Sequence, residues 1–329
     1  MKIAIVKLSA LGDIVHAMVV LQFVKKHYPD SEIDWIVDKR FQSVLENNPH
    51  INQIHAVNLN AAKKQKSLKI FLKELIKVRK YGKYDLIIDA QGLVKSAIVT
   101  KLMKGVKTVG FDKNSIREPL ASYLYSQKVS IGYDENTIER YISLIYHALN
   151  IKVLGDELIN KNIFLFSSSK VRIPDKPYVV FVIGSTWENR NYPKEKFIKV
   201  AQSLNKICLV LWGNELERKK ANWMSVQSNF IEVMPKLTID DLKHVVLNSS
   251  LVIGNDTGPT HMAWALNKPS ITLFGPTPIT RVYQTPINKV LKSSSKVNHF
   301  KLDKNDFSIQ EIKVNDIIKI ANVLLRKNI

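Results

Sequence analysis

Two stretches far apart in the chain share one grammar: an apolar run, a short turn that holds a carboxylate, and then a helix. The first is MKIAIVKLSALGDIVHAM, where Ile3 to Val6 reads as a buried strand and Ser9-Ala10-Leu11-Gly12 leads into Asp13. The second runs from Leu251 to Pro276, with LVIGND as strand, TGPTHMAWALN as turn and helix, and SITLFGP as the next strand. Apolar strands alternating with helices pack as a parallel sheet covered on both faces. Ligands of such sheets bind beyond the carboxyl ends of the strands, where Asp13 falls. Asp13 equally suits a plain structural part, capping a helix and complementing its dipole.

The alternation continues through the chain. EIDWIVD (32–38), INQIHAVN (51–58), YDLIIDA (84–90) and KTVGF (107–111) read as strands, and a helix over about Asn136 to Leu149 closes a first unit. Periodicity then fades between Ile151 and Lys176, a segment that holds Ser167-Ser168-Ser169 and ends at Pro174 and Pro177. YVVFVIG (178–184), KICLVLWG (206–213), FIEV (230–233) and the capping-box start Thr238-x-x-Asp241 restart the pattern. The predicted architecture is α/β, with doubly wound parallel-sheet domains at 1–165 and 178–308, a linker at 166–177 and a terminal helix within 309–329. A chain of 329 residues with 45% apolar content has material for two cores.

The net charge of +20 requires a reason. From Asn60 to Lys83 nine Lys or Arg residues face a single acid, Glu74. Helical spacing puts Lys66, Lys69, Lys73, Lys77 and Lys80 on one stripe and Leu68, Phe71, Leu72, Leu75 and Ile76 on another, which predicts a half-buried helix with a basic outer face. A solvated surface is one reading. Attraction to an anionic membrane surface or an anionic acceptor is the other, at about 1 kcal/mol per basic residue. Nucleic acid is disfavoured, because the sequence has no zinc-finger spacing and no RNA-binding signature, and the basic run has no aromatic interleaving. Apolar runs are much shorter than the roughly 20 residues of a spanning helix, and the first residues enter a strand directly. A cytoplasmic protein is therefore expected. Cys208, the single cysteine, falls in an apolar strand pattern and is expected in a core.

Several chemistries lack their motif. The turns carry neither G-x-G-x-x-G nor a P-loop, which disfavours a dehydrogenase and an NTPase. The sequence has no D-x-D, no H-E-x-x-H and no carboxylate cluster with magnesium-ligand spacing, so no metal site is expected. The Asp256-Thr257-Gly258 corner would aim backbone N–H groups and a hydroxyl out of a helix N-terminus, the chemistry of a phosphate site, with His261 one turn further along.

Taken in order, KLSALGDIVHAM (7–18), DAQGLVKSA (89–97), REPLAS (117–122), Tyr192-Pro193, LWG (211–213) and DTGPTH (256–261) carry a resemblance that runs nearly end to end. The chain resembles the heptosyltransferases of lipopolysaccharide core synthesis, glycosyltransferase family 9. The resemblance implies a GT-B fold, with two Rossmann-like domains facing across a cleft and the terminal helix packing back toward the first. It implies inverting, metal-independent transfer of L-glycero-D-manno-heptose from ADP-heptose to the inner Kdo of Kdo-lipid A, at the cytoplasmic face of the inner membrane. No cofactor is implied beyond the ADP-heptose donor.

By the same resemblance Asp13 is the general base, and Arg190 stands where the relatives usually carry a catalytic lysine. Arginine keeps the charge there but changes its geometry. Ser185, Thr186, Asp256, Thr257, Gly258 and His261 would hold the donor diphosphate and its sugar, Glu217 the ribose with Glu215 as an alternative, and Leu237 the adenine edge. Lys7, Ser9, Gly12, Lys63, Lys64, Lys66, Gln91 and Arg117 would meet the acceptor. Two other readings stand beside this one: a later heptosyltransferase acting on a heptose acceptor, and a non-catalytic nucleotide-binding protein that docks on RNA or membrane.

Overall fold

A computed structural model describes residues 1–326, with the backbone alone for Ala62 and Lys63. The chain divides into two compact units, Met1–Phe164 and Leu165–Ile329. The first is built on strands β1 (Lys2–Val6), β2 (Glu32–Asp38), β3 (Gln53–Val57), β4 (Lys83–Asp89), β5 (Lys104–Phe111) and β6 (Gln127–Val129). They form one parallel sheet in the order β3-β2-β1-β4-β5-β6. The second uses β7 (Tyr178–Val182), β8 (Ile207–Leu211), β9 (Ile231–Val233), β10 (Leu251–Asn255), β11 (Ser270–Phe274) and β12 (Asn288–Lys292), in the order β12-β11-β10-β7-β8-β9. Counted from its own first strand, each sheet has the same doubly wound order, that of the Rossmann type.

Central strands are buried on both faces, which explains their unbroken apolar sequence: Ile3 to Val6, Leu251 to Ile253 and all of Tyr178 to Val182 are buried. In the first unit the crossovers are α1 (Leu11–Ala17), α2 (Val20–His27), α3 (Gln42–Leu45), α4 (Leu59–Lys64), α5 (Leu68–Val78) and α6 (Val94–Leu102), followed by α7 (Thr137–Leu149) and α8 (Gly155–Ile159). Asn136 caps α7 by accepting the Ile138 N–H at 2.9 Å, and Asn150 ends it in the left-handed region at φ 57°. The second unit has α9 (Lys194–Leu204), α10 (Glu215–Gln227), α11 (Ile239–Leu247), α12 (Gly258–Ala265) and α13 (Val314–Arg326). Thr238 and Asp241 make the expected reciprocal cap of α11, with the Asp241 N–H 3.1 Å from the Thr238 hydroxyl and the Thr238 N–H 2.9 Å from the Asp241 carboxylate.

Several expectations change. The segment expected as a linker is strapped to the second unit: Ser167 Oγ donates to the Asp240 carbonyl at 2.8 Å and the Ser168 N–H to its carboxylate at 3.1 Å. The terminal helix, expected to pack back toward the first unit, lays Ile317, Ala321 and Leu324 into the core of the second, beside α9. Strands β6 and β12 were not anticipated, and β5 begins three residues before KTVGF. Helix α5 also departs from its predicted pose, because Leu68, Leu72 and Ile76 of its apolar stripe face solvent and only Val78 is buried.

Candidate functional site

Each sheet has a point where its strand order reverses, between β1 and β4 in the first unit and between β10 and β7 in the second. The loops that leave adjacent strands there diverge to opposite faces and open a crevice. In the first unit these loops are tied together. Lys7 Nζ donates to the Ala90 carbonyl at 3.0 Å, and Gln91 Oε1 accepts the N–H groups of Leu8 and Ser9 at 3.1 and 3.0 Å. The chain then enters α1, where Asp13 at the third position accepts the Ala10 N–H at a long 3.3 Å. The capping part foreseen for Asp13 is therefore present, on a half-buried carboxylate at the mouth of the crevice.

Behind Asp13 lies a charged layer that the motifs only partly disclosed. Lys7 is buried, and desolvation lowers its pKa against the opposing pull of Asp13 and Asp89. Burial pushes the Asp89 carboxyl up, although hydrogen bonds from the Tyr125 hydroxyl and the Gln91 and Gly92 N–H groups pull the other way. Arg140 adds a second cation from α7, its guanidinium stacked 4.6 Å from the centre of the Phe111 ring and donating to the Gly132 and Ser115 carbonyls. The Lys7 ammonium thus feels the charges of both carboxylates, Asp13 and Asp89.

Of the remaining acceptor-side residues, Gly12 sits in the first turn of α1. Lys64 ends α4, Lys66 follows it, and both are exposed, as is Arg117 in the loop after β5. The side chain of Lys63 lies outside the described ones.

The second unit repeats the device with different residues. Asn255, the last residue of β10, donates to the Ile183 carbonyl at 2.8 Å and accepts the Tyr192 N–H at 2.9 Å, joining the exits of β10 and β7. Gly254 permits this closeness, since a Cβ there would stand 2.5 Å from that of Val182 and 2.6 Å from the Thr260 hydroxyl. Next in the chain, Asp256 is buried and well partnered: Arg190 Nη2 binds its carboxylate at 2.6 Å and also its carbonyl, and His261 Nε2 lies 3.0 Å from the other carboxylate oxygen. Burial alone would raise the Asp256 pKa. The His261 hydrogen bond and the charges of Arg281 and Arg190 outweigh it and hold the carboxyl far below the usual carboxylate range.

Thr257 then caps α12 in extended backbone, but its hydroxyl makes no capping bond. The helix starts Gly258-Pro259-Thr260, so the N–H groups of Gly258 and Thr260 are the first-turn donors that a helix N-terminus offers an anion.

The loop after β7 supplies the rest. Ser185 Oγ donates to the Trp187 carbonyl at 2.8 Å, and Thr186 is exposed. Glu217 reaches across from α10: its carboxylate accepts the Gly213 N–H and the Asn214 amide, each at 2.7 Å, and a Cβ on Gly184 would fall 2.2 Å from its Cδ. Glu215 points elsewhere, to Arg218 at 2.7 Å. Leu237 is half-buried before α11. Asp89, Arg140, Asn255 and Arg281 are the members that the sequence reading did not place in the site, although DAQG and GND spell two of them within or beside quoted motifs.

A family model, glycosyltransferase family 9 (heptosyltransferase), matches residues 73–309. A lipopolysaccharide heptosyltransferase 1 from Campylobacter coli is 39% identical over 98% of this chain and 99% of its own. The chain belongs to glycosyltransferase family 9. Another family member, the lipopolysaccharide heptosyltransferase 1 of Escherichia coli K12, is 31% identical over 84% of this chain and 88% of that protein. The fold agrees as well: the E. coli heptosyltransferase WaaC solved with ADP superposes with a TM-score of 0.82 at 24% identity, covering 98% of this chain and 100% of that one. The protein is a heptosyltransferase-family enzyme built on the GT-B fold.

Proposed function

We propose that the protein moves L-glycero-D-manno-heptose from ADP-heptose to the inner Kdo of Kdo-lipid A, with inversion and without a metal, at the cytoplasmic face of the inner membrane. The observation that carries this reading is the cationic group at the second unit's switch point, where Arg190, Arg281 and the N-terminus of α12 gather beside Asp256. A departing diphosphate gains negative charge as its bond to the sugar breaks, and this pocket meets that charge with fixed cations and N–H dipoles. In the first unit Asp13 takes the proton of the Kdo hydroxyl. The hydroxyl oxygen then attacks the anomeric carbon, and ADP leaves with the electron pair.

Asp256 is a positioning residue in this account. Its carboxylate is spent on Arg190 and His261 and would repel a phosphate placed directly against it. Lys7 sets a positive charge behind Asp13, and Lys63, Lys64, Lys66 and Arg117 meet the anionic groups of the acceptor.

The contact between Gly184 and Glu217 favours Glu217 over Glu215 as the partner of the ribose. Glu217→Ala is expected to raise the KM for ADP-heptose about tenfold or more, the worth of a hydrogen bond to a charged group, with kcat less affected. Glu215→Ala should leave both constants near wild type. Equal effects of the two variants on donor KM would reject the assignment.

The reading is tested by supplying ADP-heptose with a panel of truncated core acceptors, in EDTA. Heptose should appear on Kdo-lipid A at the rate seen without chelator. Transfer confined to acceptors that already carry heptose would identify a later enzyme of the core, and activity lost to EDTA and restored by Mg²⁺ would refute the metal-free account.

A further inference from the structure

Helix α5 carries more apolar surface than its seat on the sheet covers. At 100° per residue its apolar side chains other than Ile70 form one wide arc, from Val78 and Phe71 through Leu75 to Leu68, Leu72 and Ile76. One edge is seated: Val78 is buried in a cluster with Val57, Tyr84 and Ile87. The other edge is open, with Leu68, Leu72 and Ile76 at four-residue intervals and 69%, 49% and 58% exposed. Just beyond that edge come Lys69, Lys80 and Lys73, all exposed. Glu74, the one acid of the stretch, is turned to the Asn58 N–H at 3.0 Å. The outer layer continues the theme. Helix α6 packs against both α5 and the 3-10 helix Pro119–Leu124, where Leu120 and Tyr123 are exposed and Lys128 lies 5.6 Å from the Tyr123 ring centre.

A solvated basic face has no use for an aliphatic stripe. A second copy of the chain would bring the same lysines into opposition, a repulsive arrangement. An anionic bilayer satisfies both halves of the pattern, because apolar side chains enter the boundary between headgroups and acyl chains while flanking lysines stay among the phosphates. We propose that α5 is a docking helix that lies in the surface of an anionic membrane, with Leu68, Leu72 and Ile76 inserted and Lys69, Lys73 and Lys80 on the headgroups. This rests on the lipid-borne acceptor proposed above and adds the element that meets the lipid. The chain leaves the carboxyl end of β3, the end of the sheet that also carries Asp13, through the short α4 into α5, and α5 runs back to the amino end of β4, so the helix starts on the acceptor side of its unit.

Cys208 makes a clean test possible: it is fully buried and burial pushes its thiol up to about 12, so a cysteine introduced at position 72 is the reactive one. Full-length Leu72→Cys protein labelled with a polarity-sensitive dye should brighten and shift to the blue on vesicles of phosphatidylethanolamine and phosphatidylglycerol, and stay dark on phosphatidylcholine alone. The combined Leu68→Ser, Leu72→Ser and Ile76→Ser variant should lower the fraction bound to anionic vesicles about tenfold or more. Lys69→Glu with Lys73→Glu should lower it too and flatten its salt dependence. Both variants should keep wild-type turnover on a water-soluble, lipid-free Kdo acceptor. If wild type itself fails on that acceptor, the transfer reading falls, while the vesicle measurements still decide the docking. Three outcomes would overturn the docking helix: vesicle binding with a dark dye, brightening that follows protein concentration without vesicles, or a serine variant that binds as wild type does.

Discussion

Asp13→Asn is expected to lower the rate of heptose transfer about 10²- to 10⁴-fold, the range of a residue that moves a proton in the transition state, while ADP-heptose binds as before. Asparagine keeps the shape and can still accept the Ala10 N–H, so the start of α1 survives. It cannot take a proton at neutral pH. Titration calorimetry with ADP and single-turnover rates separate the two effects. Turnover near wild type would remove Asp13 from the chemistry and leave it as the helix cap that its sequence position also allows.

Arg190→Ala comes second, with a loss of about 10²- to 10³-fold that falls on kcat more than on KM, as when a donor to developing negative charge is removed. Among the described residues the guanidinium's hydrogen bonds to protein run through Nη2, to the Asp256 carbonyl and carboxylate, and its Nε is buried without a partner. Arg190→Lys keeps the charge and should recover part of the loss. Its single ammonium cannot reproduce the fork that bridges Asp256 and a phosphate. An alanine variant with undiminished kcat would show that Arg281 and α12 suffice.

The legibility of this chain follows from where each residue lies in its sheet. Central strands such as Ile3 to Val6 and Val179 to Val182 are buried on both faces, so their sequence is apolar without interruption and easily read. Strands β6 and β12 lie at sheet edges and are short or lysine-bearing, as in QKV and NKVLK, so they look like loops. Helix α5 deceived for the opposite reason. Its apolar periodicity is strong, but periodicity cannot say whether protein or another medium covers the arc.

The site divides in the same way. Asp13, Thr257 and Gly258 were visible because strand, turn and helix start are contiguous in sequence. Asn255, Arg140 and Arg281 act across the fold, on Ile183, on Ser115 and on Asp256, and no local pattern announces them.

The central claim is direct attack: an acceptor oxygen, relieved of its proton by Asp13, displaces ADP from the far side of the anomeric carbon in one step. The most direct measurement is the anomeric configuration of the transferred heptose, read by NMR from product made with ADP-heptose of known configuration. The account predicts a configuration opposite to that of the donor. A retained configuration would require an intermediate on the enzyme or front-side attack, and would contradict it.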